Sequence, residues 1–246
     1  MALNLPNLTA AFHNVIRQVA TCPHRDQCLT DCGNLIPERP PSPDYLGPRY
    51  AGLAIIGANP GNAANGGQQA HDEAMEALMH RVGQERAPAA YHELMALLVM
   101  SMRGWKQVVS AAHQMALDYD IGEIAYIDIV KCKTFRGGAD PFRTVGGTVA
   151  RRCWETYTAH QLDLLQPTHV IGLWKPIGGV LRRLGYDVEF GEFRLPEGGA
   201  HPIEVVYGFH NGRRNLPAAD RLVDALRVVD DFRGRRAVRG NDGDRG

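Results

Sequence analysis

Three polar side chains follow apolar runs of this sequence at positions where catalytic groups are often found. Asn59 follows the run 53–56 within the turn Gly57-Ala58-Asn59-Pro60-Gly61, Asp128 lies inside the run 124–130, and His210 follows the run 203–208. In open α/β sheets, ligands bind beyond the carboxyl ends of the strands, and a Gly-rich turn there lets backbone amides approach a phosphate or a base. If these runs are parallel strands, the three side chains share one mouth, which is the geometry of an active site. On the turn alone, an ordinary strand-to-helix connection is the alternative.

Five cysteines form a second group that could do chemistry. They are Cys22, Cys28, Cys32, Cys132 and Cys153. We expect a cytoplasmic protein, in which thiols stay reduced, so metal binding is a more natural interpretation than disulfides. Two alternatives stay open at this point: some cysteines are buried as small hydrophobic residues, or the group binds zinc with the help of His24.

The bulk composition limits the classes of partner. The chain has 246 residues, with 27 Lys and Arg against 27 Asp and Glu, so any binding to nucleic acid must use a local patch. Its first residues lack the pattern of a signal peptide, and no long uncharged apolar stretch predicts a membrane span. We expect a monomer without membrane contact. A single domain is predicted over 1–231 with an N-terminal cysteine-rich segment, followed by a disordered charged tail over 232–246.

The elements that must position these groups alternate between strands and helices. Strands are predicted over 53–56, 124–130, 169–173 and 203–208, with a small hairpin over 187–195. Helices are predicted over 7–20, 70–82, 90–102, 105–119, 148–165, 177–184 and 217–231, and the Pro-rich segment 37–48 is expected to be an extended surface loop. This order predicts an α/β protein with a mostly parallel sheet of four strands covered by helices on both faces.

Several of these segments resemble the uracil-DNA glycosylase superfamily, most closely its iron-sulfur-containing branch. Gly57-Ala58-Asn59-Pro60-Gly61 is similar to the superfamily's first motif in the form with Asn at the third position. The stretch from Tyr126 to Cys132 is similar to the branch's strand that ends in Val-Lys-Cys, and Arg152-Cys153 with the strand at 169–173 stands where its fourth cysteine and next strand would be. Phe209-His210-Asn211 takes the place of the second catalytic motif. The resemblance covers roughly 28–225 and implies a three-layer α/β/α fold.

The resemblance also implies the roles of the site residues. Asn59 would hold the attacking water, and His210 would donate a hydrogen bond to the O2 atom of the departing base as negative charge develops there. Gly57, Ala58 and Asp128 would line the pocket of a base flipped out of the DNA. A structural 4Fe-4S cluster would be held by Cys28, Cys32, Cys132 and Cys153, although the unusual spacing of the first pair also allows Cys22 to replace Cys28.

DNA contacts are expected from the loops that follow the two catalytic motifs. These contacts would come from Gly61 and Asn62 through backbone amides and from Arg213 and Arg214 through charge. Four further basic residues are expected either to line the DNA backbone nearby or to form a solvated basic face: Lys131, Lys133, Arg136 and Arg143. The function implied is excision of uracil or a related deaminated base in base excision repair.

The chain departs from the family pattern at two places. Asp128 stands where the family has a base-reading Asn, and an ionised carboxylate has only acceptors to offer to uracil. Asp128 is therefore protonated in a dry pocket, or contacts water or another base edge, or the substrate is not uracil. The loop 62–69 also lacks the family's stacking aromatic, so Tyr91, Phe135 or Phe209 would have to substitute. These departures keep open a catalytically silent iron-sulfur protein that binds nucleic acid.

Overall fold

A computed structural model of the chain describes most of its first two thirds and parts of the remainder. The described residues are 4–58, 60, 66–85, 88–104, 121–136, 140–167, 169–172, 177–183, 187–189, 192–194 and 203–207. The helices predicted over 105–119 and 217–231 and the predicted tail lie outside these ranges.

A mixed β-sheet runs through the described part of the chain. Its strands are β1 (Tyr45–Leu46), β2 (Leu53–Gly57), β3 (Ile124–Asp128), β4 (His169–Gly172), β5 (Asp187–Glu189), β6 (Glu192–Arg194) and β7 (Ile203–Tyr207). Their order in the sheet is β1-β3-β2-β4-β7-β6-β5. The pairs β3–β2, β2–β4 and β4–β7 are parallel, whereas β1, β6 and β5 join antiparallel. The predicted α/β class is confirmed. The strands predicted over 53–56, 124–130, 169–173 and 203–208 correspond to β2, β3, β4 and β7, and β1, β5 and β6 belong to the same sheet.

The strands β2 and β3 form from runs that are mainly apolar. All five residues of β2 are buried, as are all but Tyr126 in β3. A strand covered on both faces is expected to be apolar throughout, whereas a strand with one wet face alternates. The runs at 53–56 and 124–130 could therefore be recognised as strands from sequence. The hairpin predicted over 187–195 corresponds to β5 and β6.

The Pro-rich connector is not a surface loop, so that expectation was wrong. Residues 41–47 are all buried, and β1 within them pairs with β3, placing Tyr45 opposite Tyr126. Gly47 must be small there, because an added Cβ would lie 2.2 Å from the carbonyl oxygen of Gly122. Proline is tolerated at the edge of a sheet, where a missing N–H leaves no ladder bond unmade. The connector therefore closes one edge of the sheet.

Helices pack against the sheet and against one another. They are α1 (Leu5–Ala20), α2 (Arg25–Asp31), α3 (Gly66–Gln84), α4 (Ala89–Gly104), α5 (Pro141–Thr144), α6 (Gly147–Cys153), α7 (Ala159–Leu165) and α8 (Ile177–Arg183). A π-helical turn, Trp154–Thr158, joins α6 to α7, so the predicted helix over 148–165 is continuous but locally widened. No helix among the described residues has the length and apolarity that crossing a membrane requires.

The first helix shows how a sequence pattern becomes packing. In α1, Asn4 caps the helix by accepting a hydrogen bond from the backbone amide of Asn7 at 3.3 Å. The buried side chains of this helix recur at helical spacing, namely Leu8, Phe12, His13, Val15, Ile16 and Val19. This stripe packs in the main hydrophobic core and brings the end of α1, where the first cysteine follows, against the fold.

Candidate functional site

The end of β2 and the end of β3 meet in the sheet. Gly57 pairs with Asp128 in parallel register, and the chain beyond β3 continues the contact, since the amide of Ile129 donates to Gly57 O at 2.9 Å. The amide of Val130 likewise donates to Ala58 O at 3.0 Å. The structure therefore brings together Gly57, Ala58 and Asp128, three of the residues predicted to line a base pocket. Asn59, Gly61, Asn62, His210, Arg213 and Arg214 lie outside the described residues.

The carboxyl group of Asp128 lies directly against Gly57. A Cβ atom added to Gly57 would lie 2.0 Å from Asp128 Oδ1 and 2.5 Å from the Tyr126 hydroxyl oxygen. Real Cβ atoms do not approach oxygen that closely, so only glycine fits at this position. The glycine of the first motif thus makes room for the side chain at the end of the neighbouring strand.

The environment of Asp128 disfavours its charge. Its side chain is buried, with 6 % of the residue exposed, and the Tyr126 hydroxyl donates to Oδ1 at 3.3 Å. Burial and the nearby charge of Asp44 raise the pKa of Asp128 to about 7, although Lys131 and the Tyr126 hydrogen bond act in the opposite direction. Burial also raises the pKa of Tyr126 well above its ordinary value, so this phenol keeps its proton. The carboxyl changes its protonation state near neutral pH.

A buried polar network holds the backbone at Asp128. Asp44 Oδ1 accepts from the amide of Asp128 at 2.7 Å, and its Oδ2 lies 2.6 Å from Lys131 Nζ. Gln161 completes the network, because its Oε1 accepts from Lys131 at 2.8 Å and its Nε2 donates to Asp44 Oδ2 at 2.7 Å. The Thr158 hydroxyl donates to Asp128 O at 3.0 Å. Each of these polar side chains is buried, and together they fix the end of β3.

Two of the four basic residues predicted to line the DNA backbone are buried, whereas Arg136 and Arg143 are exposed. Lys131 is 1 % exposed and Lys133 is 3 % exposed. Lys133 instead pairs with Asp72 at 3.0 Å and approaches Glu76 at 3.5 Å. Buried ammonium groups require such partners, because water no longer solvates them. The expectation that these two lysines contact DNA was wrong.

Four of the five cysteines lie close enough to influence one another. The pKa of Cys132 is raised by burial first and then by the charges of Cys153, Cys22 and Cys28. Burial raises the pKa of Cys153 to about 12, with further contributions from Cys22 and Cys28. Cys32 is not among the groups that act most strongly on these thiols. Cys22, Cys28, Cys132 and Cys153 therefore lie near one another, and Cys32 follows Cys28 by one helical turn, with its backbone amide donating to Cys28 O at 3.0 Å.

Two of these sulfur atoms accept hydrogen bonds. The backbone amide of Lys131 donates to Cys153 Sγ at 3.2 Å, and Arg152 donates to Cys28 Sγ at 3.1 Å. Arg152 is held in place by Asp31 at 2.9 Å. Donors aimed at sulfur stabilise the thiolate, which is the form that binds metals. Within the described ranges, no three His, Cys, Asp or Glu side chains converge as ligands of a single metal ion would.

A basic groove lies beside the cysteines. It has a volume of about 650 Å³ and is lined by His24, Phe142, Gly147, Thr148, Arg151, Arg152, Glu155 and Thr156. Arg183 lies beside the groove, with its guanidinium 4.6 Å from the centre of the Phe142 ring and paired with Asp140 at 2.7 Å. Arg143 is the next residue after Phe142 in α5, and 88 % of its side chain is exposed. This concentration of arginine is a local patch in a chain whose formal net charge is zero.

One of the proposed stacking aromatics is excluded by its position. Tyr91 is 2 % exposed, and its ring lies 4.8 Å from that of His13. A ring enclosed in this way cannot stack on an incoming base. Phe135 is 56 % exposed and remains available, whereas Phe209 lies outside the described residues.

Sequence reasoning missed the polar residues that support the site. Asp44 stands in a Pro-rich segment, and Gln161 and Thr158 lie within the predicted helix over 148–165, so none of the three belongs to a motif. The sequence does indicate that Lys131 is buried, because this residue directly follows the strand-like run 124–130. A charged residue continuing a buried strand needs a buried partner, and Asp44 is that partner.

No protein-family model matches this sequence, and no curated protein matches it either.

Proposed function

We propose that this chain is a monofunctional DNA glycosylase of the uracil-DNA glycosylase superfamily, with that superfamily's three-layer α/β/α fold around a mostly parallel sheet. It would excise uracil or a related deaminated base in base excision repair. The observation that carries the proposal is the register of the two strand ends, which sets Asp128 against Gly57 and Ala58 directly before Asn59. These are the residues that the resemblance assigns to the base pocket.

Cleavage of the bond between sugar and base produces an oxocarbenium-like sugar and an anionic base. The enzyme must position a water molecule and stabilise the charge on the departing ring. Asn59 would hold the water through its side-chain carbonyl, and His210 would donate to the base O2. An amide activates water less strongly than a carboxylate base does, so we expect a modest turnover. The base must first be flipped out of the duplex, at a cost of a few kcal/mol that is smaller for single strands.

A structural 4Fe-4S cluster fits the cysteine group. Cys22, Cys28, Cys132 and Cys153 supply four thiols from two distant parts of the chain, with hydrogen-bond donors on two of the sulfur atoms. A zinc site would require all four sulfur atoms about 2.3 Å from one ion, whereas a cubane binds each thiolate through a different iron and tolerates a wider set. When bound, the cluster would supply a cross-link between the N-terminal segment and the loop after β3.

The basic groove supports contact with the DNA backbone. Arg151 and Arg143 are exposed there, and arginine recognises phosphate through its planar fork of donors. The groove would provide the part of DNA binding that does not depend on base sequence, together with Gly61, Asn62, Arg213 and Arg214. The protein would act as a cytoplasmic monomer on DNA that carries a damaged base.

The test is base release from oligonucleotides that carry one uracil, hypoxanthine or xanthine, as single strands and as duplexes. Abasic sites should form with the wild-type protein and be reduced at least about 100-fold in Asn59→Ala and His210→Ala. Asn14→Ala and His160→Ala, which change the same residue types at exposed helical positions, should behave as wild type. Release that survives both site variants would contradict the assigned roles.

A catalytically silent nucleic-acid-binding protein is the second candidate. It is favoured by the carboxyl at Asp128 and by the absence of an aromatic residue from 62–69. This candidate predicts binding to uracil-containing DNA with no base release from any substrate. In both cases Arg151→Glu should weaken oligonucleotide binding and flatten its salt dependence, with the exposed Arg49→Glu as the matched charge reversal elsewhere.

A further inference from the structure

The buried charges near the end of β3 do not balance. Two carboxyl groups, Asp44 and Asp128, are buried there with one ammonium group, that of Lys131. Lys131 Nζ is 2.6 Å from Asp44 Oδ2, and toward Asp128 it donates to the backbone oxygen. The one cation of the network is therefore committed to Asp44.

The groups that face Asp128 from the described elements offer it no other counter-charge. Tyr126 presents a neutral hydroxyl from the same strand, and β2 presents Gly57, which has no side chain. The helix behind the site contributes Gln161 and Thr158, both uncharged. Asp44 adds a negative charge close by, because it accepts from the amide of Asp128 itself. A buried carboxylate beside a like charge and without its own cation takes up a proton.

We propose that Asp44 is a positioning residue that captures Lys131 and thereby keeps the Asp128 carboxyl protonated up to about neutral pH, so that Asp128 offers a bound base one donor and one acceptor. Asp44 does this without contact to the substrate. The part of this inference that concerns the base rests on the proposed glycosylase function.

A protonated carboxyl supplies the same two functions as the side chain of asparagine. The Tyr126 hydroxyl donates to Oδ1, which makes Oδ1 the acceptor and leaves the proton on Oδ2. Such a group accepts from the N3–H of uracil and donates to its O4. After ionisation both oxygens are acceptors, and O4 is repelled. Recognition of uracil is therefore lost as the pH rises above neutrality.

The protonation can be measured without DNA by infrared spectroscopy. At pH 6 the wild-type protein should show a protonated-carboxyl carbonyl band that is missing in Asp128→Asn and that disappears as the pH rises. In Asp44→Asn, Lys131 is free to pair with Asp128, so the midpoint of this titration should fall by at least one pH unit, which lowers the ratio of protonated to ionised carboxyl about tenfold at a given pH. Asp163→Asn, at an exposed carboxyl, should leave band and midpoint unchanged. Absence of the wild-type band, or an unmoved midpoint in Asp44→Asn, would overturn the proposal.

Uracil release provides the second readout and does not require Asp44→Asn to fold. Wild-type release should fall between pH 6 and pH 9, approaching tenfold per pH unit once Asp128 ionises, whereas Asp128→Asn should keep its rate over the same range because an amide does not titrate. Equal pH profiles for the two proteins would contradict the inference while leaving the glycosylase intact. A normal infrared titration without base release from either protein would instead remove the proposed function and leave the protonation of Asp128 established.

Discussion

Replacing Asp128 by Asn should stabilise the protein, and more strongly at high pH. The pKa of Asp128 is raised from 3.8 to about 7 in the folded protein, mainly by burial. Between these two values the folded state binds a proton that the unfolded state has lost. The free energy of unfolding therefore falls as the pH rises through this window and is constant above it. An amide at the same position has no such dependence.

The size of the effect follows from the shift. A change of about three units corresponds to about 4 kcal/mol above pH 7, since each unit is worth 1.36 kcal/mol. At pH 5 the destabilisation of the wild-type protein by this carboxyl is only about 1.5 kcal/mol, because most of the folded protein still carries the proton. The stability advantage of Asp128→Asn over wild type should thus grow by about 2–3 kcal/mol between pH 5 and pH 8. This change in the stability difference with pH is unaffected by any pH-independent free energy that the amide side chain costs in packing.

Thermal unfolding of both proteins at the two pH values measures this growth. For a chain of this size it corresponds to about 5–10 °C in the difference between the two melting temperatures. Asp163→Asn, which changes an exposed carboxyl, controls for the loss of one negative charge. An advantage that is equal at the two pH values, or larger at pH 5, would refute the reasoning that Asp128 is held neutral by its surroundings.

Three further predictions concern the residues around the site. Gly57→Ala should cost about 1–3 kcal/mol of stability in chemical denaturation, because its Cβ would collide with the neighbouring carboxyl oxygen. Cys22→Ser should lower the iron content of the purified protein, whereas Cys32→Ser should retain it; the opposite result would restore the ligand set expected from sequence. Lys133→Met should cost about 3–5 kcal/mol, since it leaves two partly or fully buried acidic partners without their cation. The exposed Arg143→Met should cost less than about 1 kcal/mol.

The α/β fold class could be predicted because its core strands are coded locally. The run 53–56 is apolar without interruption, and the run 124–130 is apolar except at Tyr126 and Asp128, as expected for strands covered on both faces. β1 could not be predicted in this way, because it has two residues in a Pro-rich segment and exists only by pairing with β3. Its burial depends on a neighbour about 80 positions away in the chain, and no local pattern encodes that.

The candidate site was predictable in part for the same reason. Adjacent parallel strands end at one edge, so Gly57 and Asp128 could be expected to meet. The lysines after β3 were misjudged, because their burial depends on Asp44 and Asp72, which lie far away in the sequence. A charged residue is predicted to be exposed unless its ion-pair partner can be identified, and a partner that is distant in sequence cannot be identified from the local pattern. The proximity of Cys22 to Cys132 likewise depends on how the N-terminal segment folds against the loop after β3, and the spacing of the cysteines does not encode it.

Lys131 joins the cysteine group to the candidate base pocket. Its ammonium group holds Asp44, while its amide donates to Cys153 Sγ at 3.2 Å. In Cys153→Ala this amide loses its acceptor, so its hydrogen exchange should become at least tenfold faster, which corresponds to about 1.4 kcal/mol of lost protection. The amide of Ile129 should change much less, because it donates to Gly57 O and not to sulfur. In Cys153→Ser, which keeps an acceptor, the exchange rate of the Lys131 amide should lie between those of the wild type and Cys153→Ala. Equal acceleration at both amides would mean that the cysteine supports the whole segment and not the backbone of Lys131 in particular.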